Sequence, residues 1–140
     1  MPEPGPALSR RTVLAGCGLA CAAALPACSA YGPAGPAPAP RPAAPGAALV
    51  AVADVPVGGG VVLADRDVVV TQPGAGTFKA FSATCTHQGC LVGEVAGGTI
   101  NCPCHGSRFA VADGSVTQGP ATRPLAERAV AVEGSSVVLA

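Results

Sequence analysis

The sequence predicts an all-β domain, an antiparallel sandwich or barrel, and three observations predict it. From residue 47 to 140, short segments rich in β-branched residues alternate with Gly, Pro, Asn and Asp. Turn pairs such as Pro73-Gly74 and Asp113-Gly114 space those segments closely. No stretch shows convincing helical periodicity.

The expected strands, in chain order, are Leu49 to Val55, Val61 to Leu63, Val68 to Thr71 and Thr77 to Ser82, then Thr99 to Asn101, Phe109 to Val111, Ser115 to Thr117, Ala126 to Val132 and Ser136 to Leu139. The first three draw mainly on Val and Leu, and most of the later ones on Val, Thr, Ile or Phe. With no Trp, one Tyr and three Phe in 140 residues, burial rests on Val, Leu and Ala. Such a core is modest, and something besides it should help hold the domain together.

The segment before residue 47 divides in two. Residues 1–28 resemble an export signal: Ser9-Arg10-Arg11-Thr12-Val13-Leu14 precedes an uncharged stretch of apolar and small residues reaching Cys28. A twin arginine in that position marks the Tat route, which carries proteins already folded. Leu25-Pro26-Ala27-Cys28 resembles a lipobox, with Pro26 an imperfect fit, so a lipoprotein anchored at Cys28 is the first expectation. An uncleaved anchor and simple secretion stay open, although residues 12–28 with Pro26 inside fall short of the about 20 that a spanning helix needs. Residues 29–46 are rich in Pro and Ala and form a semi-extended linker, with a reach of roughly 50 Å over its Ser29 to Pro45 part. Residues 47–140 form the domain.

Formal net charge is zero, and no basic run exceeds Arg10-Arg11, which argues against a nucleic-acid partner. Cysteine is the sharper signal. Of seven, Cys17, Cys21 and Cys28 lie near the N-terminus, while Cys85, Cys90, Cys102 and Cys104 fall within twenty residues of one another. The only two histidines, His87 and His105, lie among or beside that second group. The two segments Cys85-Thr86-His87-Gln88-Gly89-Cys90 and Cys102-Pro103-Cys104-His105-Gly106-Ser107 each offer a thiolate and an imidazole. Two facing loops of this kind can grip one object from opposite sides.

This pair, C-x-H-x-x-C followed by C-P-C-H-G-S, resembles the paired motif of Rieske proteins, including those of the quinol-oxidising bc and b6f complexes. The resemblance implies a Rieske-like fold with two cluster-binding loops and a 2Fe-2S cofactor, Cys85 and Cys102 on one iron and His87 and His105 on the other. It also implies a Cys90–Cys104 disulfide between the loops, a Ser107 hydroxyl donated to a cluster sulfide, and a cover formed by Gly119-Pro120-Ala121 with Pro124-Leu125.

Charge explains the mixed ligands. Two ferric ions and two sulfides sum to a double positive charge, which four thiolates turn doubly negative and two thiolates with two neutral imidazoles turn neutral. The neutral cluster takes an electron more readily, at roughly −150 to +300 mV against about −400 mV for plant-type sites. The outer imidazole nitrogens remain able to exchange protons, which implies proton-coupled reduction. Two departures weigh against a quinol-oxidising subunit. Phe109 stands where such relatives often have a Tyr that donates to a cysteine sulfur, and Gln88 stands where they place Leu.

Among alternatives, Cys2His2 zinc sites usually group like residues in pairs, whereas each segment here is mixed. A pure disulfide framework leaves both histidines without a purpose. A ring-hydroxylating oxygenase needs a second iron, and no histidine remains to build its site. The expected function is a one-electron carrier outside the cytoplasmic membrane, serving redox proteins or a quinol and held to the membrane by lipid or an N-terminal anchor. A subunit of a larger oxidoreductase is the alternative.

Overall fold

Three consecutive valines, Val68, Val69 and Val70, begin the strand on which the fold is built. The computed structural model describes residues 43–140, and the export signal and the linker as far as residue 42 lie outside the described residues. Strands in chain order are β1 Ala48–Ala51, β2 Gly59–Leu63, β3 Val68–Gly74, β4 Thr77–Ser82, β5 Glu94–Ala96, β6 Thr99–Asn101, β7 Arg108–Ala110, β8 Val116–Gln118, β9 Glu127–Arg128, β10 Val130–Glu133 and β11 Ser136–Leu139. They pair as three antiparallel sheets, ordered β1-β11-β10, β2-β3-β4-β9 and β5-β6-β7-β8, so the all-β expectation is met.

Successive side chains on a strand point to opposite faces, and β3 uses both. Val68 and Val70 pack with Leu49, Ala80, Val137 and Leu139 toward the β1-β11-β10 sheet. Val69 packs with Phe81, Ile100 and Phe109 toward the β5–β8 sheet. The β2-β3-β4-β9 sheet is therefore a middle layer between two small cores. Burying each large apolar side chain in them stabilises by about 1.5–3 kcal/mol. The buried Thr71 hydroxyl donates to the Val111 carbonyl at 2.8 Å, which ties β3 to the turn after β7.

Four local expectations change. The first expected strand ends at Ala51, because residues Val52–Asp54 close a 3-10 turn. Pro73-Gly74 is not the reversal: β3 continues through a bulge to Gly74, and the chain turns at Ala75-Gly76, with Gly76 at φ +77. Proline is tolerated at a bulge, where no ladder N–H is needed, and the Gln72 amide oxygen accepts the Gly76 N–H at 3.0 Å. Ala126 to Val132 is two strands, since the chain crosses from the middle sheet (β9) to the outer one (β10) at Ala129. β5 was not expected at all.

At Asp113-Gly114 the expected turn is present. The Asp113 carboxylate accepts the Ser115 N–H and hydroxyl at 2.9 and 2.6 Å, which holds that carboxyl below its ordinary range. Gly114 has φ +71, and a Cβ there would lie 2.8 Å from the Phe81 ring, so glycine is required by both conformation and space.

Candidate metal centre

Two loops leave the same end of the domain: residues 83–93 between β4 and β5, and residues 102–107 between β6 and β7. Their backbones repeat one hydrogen-bond pattern. In the first, the Cys85 N–H donates to Cys90 O (2.7 Å) and the Gly89 N–H to Cys85 O (3.0 Å). In the second, the Cys102 N–H donates to Ser107 O (2.9 Å) and the Gly106 N–H to Cys102 O (3.2 Å). Each loop thus closes on its leading cysteine with a glycine four residues on, at φ +78 for Gly89 and +81 for Gly106. Only a glycine turns there without strain.

The leading cysteines are the inner pair. Cys85 and Cys102 are free and buried, within the apolar cluster of Val92, Ile100 and Phe109. Burial, and then the adjacent Cys85 thiol, push the Cys102 thiol above its ordinary range against the pull of the Cys104 and His105 N–H groups. The histidines are the outer pair. His105 is exposed and His87 half-buried, their rings edge to face with centroids 4.8 Å apart. His87 Nδ1 is buried with no hydrogen-bond partner, an unusual condition for a polar atom unless a ligand belongs there. Cys90 and Cys104, fourteen residues apart, form the expected disulfide across the loop tips, with Cα atoms 6.5 Å apart.

The third loop, residues 119–126, lies over both. Ala121 and Leu125 are buried in the same cluster as the two free cysteines. The Ala121 N–H donates to the fully buried Ser107 hydroxyl at 3.0 Å, and the Thr86 hydroxyl donates to Arg123 O at 2.6 Å. One latch therefore joins the cover to each loop. Ser107 Oγ acts as acceptor in its latch, which leaves its own proton to be donated elsewhere.

Sequence reasoning missed Asp67 and Thr86. Thr86 sat inside the motif without an assigned role. Asp67, just before β3, adopts the left-handed conformation at φ 52 and supports the base of the first loop. Its carboxylate accepts the Ser82 hydroxyl (3.0 and 3.2 Å) and the Thr84 hydroxyl (2.8 Å), and pairs with Arg128 at 3.4 Å. Its carbonyl accepts the Ala83 N–H at 3.2 Å. Asp67→Ala is expected to cost about 2 kcal/mol and lower the thermal midpoint by roughly 10 °C. Asp67→Asn, which tolerates the same backbone and keeps one acceptor oxygen, should cost less. Equal midpoints for wild type and Asp67→Ala would remove Asp67 as a support.

The profile of the Rieske [2Fe-2S] domain matches residues 47–131, from one residue before β1 into β10. The cytochrome b6-f complex iron-sulfur subunit of Chlorobaculum tepidum is 40% identical over 89 residues, 61% of this chain and 48% of that one. The same subunit of a Synechococcus sp. is 42% identical over 74 residues, 52% of this chain and 42% of that one. This chain thus spans less than half the length of these relatives. Among solved structures, the ferredoxin of carbazole 1,9a-dioxygenase from Nocardioides aromaticivorans is similar with a TM-score of 0.55 at 25% identity, over 69% of this chain and 98% of that one.

Proposed function

Because the chain belongs to the Rieske family, and so is a one-electron carrier with a 2Fe-2S cluster, we propose that the cluster lies between its two loops, with Cys85 and Cys102 on one iron and His87 and His105 on the other. The observation that carries this is the pairing of like donors: two free thiols side by side in the core, and two imidazoles packed together outside them with one ring nitrogen buried and unpartnered. When bound, the cluster accepts and releases one electron at a potential above that of all-cysteine sites.

The protein's share is to hold, dry and connect. Repeated loop closures fix the direction of each leading cysteine. Val92, Phe109, Ala121 and Leu125 keep water from the thiol end, while exposed His105 gives a redox partner its shortest approach. Phe109 is buried and has no hydroxyl to donate, so it contributes packing alone.

Ser107 supplies the tuning hydrogen bond. Ser107→Ala is expected to lower the reduction potential on the order of 60 mV, the one-electron equivalent of a differential of about 1.4 kcal/mol for a hydrogen bond to a charged acceptor. Potentiometric titration of holoprotein checks it, and an unchanged potential would remove Ser107 from the tuning role. The ligand assignment itself is tested by anaerobic purification, iron and sulfide analysis, and the rhombic paramagnetic signal of the reduced protein. A colourless, iron-free product would overturn it.

The same proposal puts the domain outside the cytoplasmic membrane, anchored at Cys28 and tethered through the linker of residues 29–46. The twin-arginine segment, the lipobox-like run to Cys28 and a disulfide at the site itself support that placement.

Membership of a quinol-oxidising complex is the second reading, favoured by the b6-f relatives. Gln88, exposed at the loop tip, and Phe109 weigh against it. Stoichiometric partner subunits recovered with the native protein would decide for the complex.

A further inference from the structure

We infer that the loop end of the domain is a docking surface for an electron-transfer protein whose contact face is acidic, and that Arg108 and Arg123 are the groups that select it. This rests on the reading that the cluster lies between the two loops.

The charge distribution carries the argument. Residues 43–140 hold five Lys and Arg against seven Asp and Glu, a net of −2 with histidine neutral. Taken whole, the domain should repel an acidic partner. Its charges are not evenly spent, however. Among the described residues, Lys79 pairs with Glu127 at 2.9 Å, Arg128 with Asp67 at 3.4 Å and Arg66 with Asp65 at 3.9 Å. The two remaining cations, Arg108 and Arg123, are both exposed, make no ion pair within 4 Å, and both lie beside the proposed cluster loops. Arg108 follows the buried Ser107 directly and lines a groove of about 440 Å³ with Cys102 and Pro103. Arg123 lies in the cover loop, and its carbonyl receives the Thr86 hydroxyl.

Of the carboxylates without an ion-pair partner, only Glu94 shares this end, since Asp67 at the base of the first loop and Glu127 next to the cover loop are neutralised by Arg128 and Lys79. Glu94 lines the same groove as Arg108 and accepts from the Asn101 amide at 3.4 Å. Asp113 is in the β7–β8 turn, at the opposite end of β7 from the second loop, and Glu133 and Asp54 belong to the layer of β1, β10 and β11. The loop end therefore carries a local charge of +1 around exposed His105, on a domain of the opposite overall sign. Screening makes the local value decide at contact, because charges more than about 8 Å away are largely damped at physiological ionic strength. Guanidinium groups left unpaired at a rim steer and select partners more than they add affinity.

A bilayer is the less apt occupant. The chain joins the domain through Ala43, which packs on the core of Leu49, Val137 and Leu139, whereas Cys85 and Cys102 belong to the other core, across the middle sheet.

The test uses reduced holoprotein and two probes of one fold and opposite charge: native, basic mitochondrial cytochrome c, and the same cytochrome with its lysines succinylated. The acylated form should oxidise wild type about tenfold faster than the native form at low ionic strength, and added salt should erase the difference. Arg108→Glu with Arg123→Glu should reverse the preference while leaving the paramagnetic signal unchanged. A faster native cytochrome with wild type, or a preference that the double variant leaves unmoved, would overturn the inference. So would Arg-dependent sedimentation with phosphatidylglycerol vesicles together with no preference between the cytochromes, which would assign the surface to lipid. The rhombic signal is recorded first on the same sample. Its absence would defeat the ligand assignment, whereas its presence with the wrong charge preference would defeat the docking surface alone.

Discussion

His87→Ala is expected to abolish the rhombic signal and to leave the purified chain with little or no bound iron. His87 is the least replaceable of the proposed ligands. Its Nδ1 is buried and has no partner in the protein, so no hydrogen bond inside the fold accounts for its position. The ring also packs edge to face against His105, the only other imidazole in the chain. Alanine removes one donor of the outer pair and the neighbour that orients the other. The chain has no third histidine to take the place of His87, and the nearby sulfurs of Cys90 and Cys104 are already bonded to each other. The backbone closures of both loops use no imidazole, so the apo fold should survive with its far-ultraviolet dichroism intact. His87→Cys is the informative companion. A thiolate there adds negative charge, so any cluster it retains should have a lower potential and an altered signal. An unchanged spectrum in His87→Ala would refute the ligand assignment.

How much of this was legible before the structure depends on how far apart the interacting residues lie. Cys85, His87, Cys102, His105 and Ser107 sit in two runs of six residues, short enough for the resemblance to the paired Rieske motif to single them out as the candidate site. The valine run of β3 announced itself in the same local way. β5 did not, since Glu94–Ala96 is three residues long with one β-branched member, and its only sign was the Gly97-Gly98 pair of the hairpin to β6. Gly97 and Gly98 both have positive φ, as that tight turn demands. The switch of sheets at Ala129 leaves no local mark, because both halves of the segment are extended. Asp67 was invisible for a different reason: its partners Ser82, Thr84 and Arg128 lie 15, 17 and 61 residues away. Only the folded β3–β4–β9 ladder brings them to one carboxylate.

Replacing Cys90 and Cys104 together by serine should lower the thermal midpoint by roughly 15 °C and speed loss of iron to a chelator, while the freshly purified protein keeps its rhombic line shape. The disulfide closes a short loop in the unfolded chain, a constraint of about 3 kcal/mol in the chain-entropy account. For a domain of this size each kcal/mol moves the midpoint by about 4–8 °C. The competing restraints are weaker. The Thr86–Arg123 and Ser107–Ala121 latches contribute about 1 kcal/mol each, and both reach the cover loop, not the opposite cluster loop. The disulfide from Cys90 in the first loop to Cys104 in the second is the covalent link between them, and the contact of the His87 ring on the His105 ring is non-covalent. Without the disulfide each loop keeps its own closure, which is why the ligands should stay in place at first. The distance between the loops then rests on the cluster itself, so iron is lost whenever they part. A double variant with the wild-type midpoint and wild-type iron retention would show that the apolar core beneath Cys85 and Cys102 is enough to hold the loops together. That result would leave the modest Val and Leu core with no need of the additional support that its composition led us to expect.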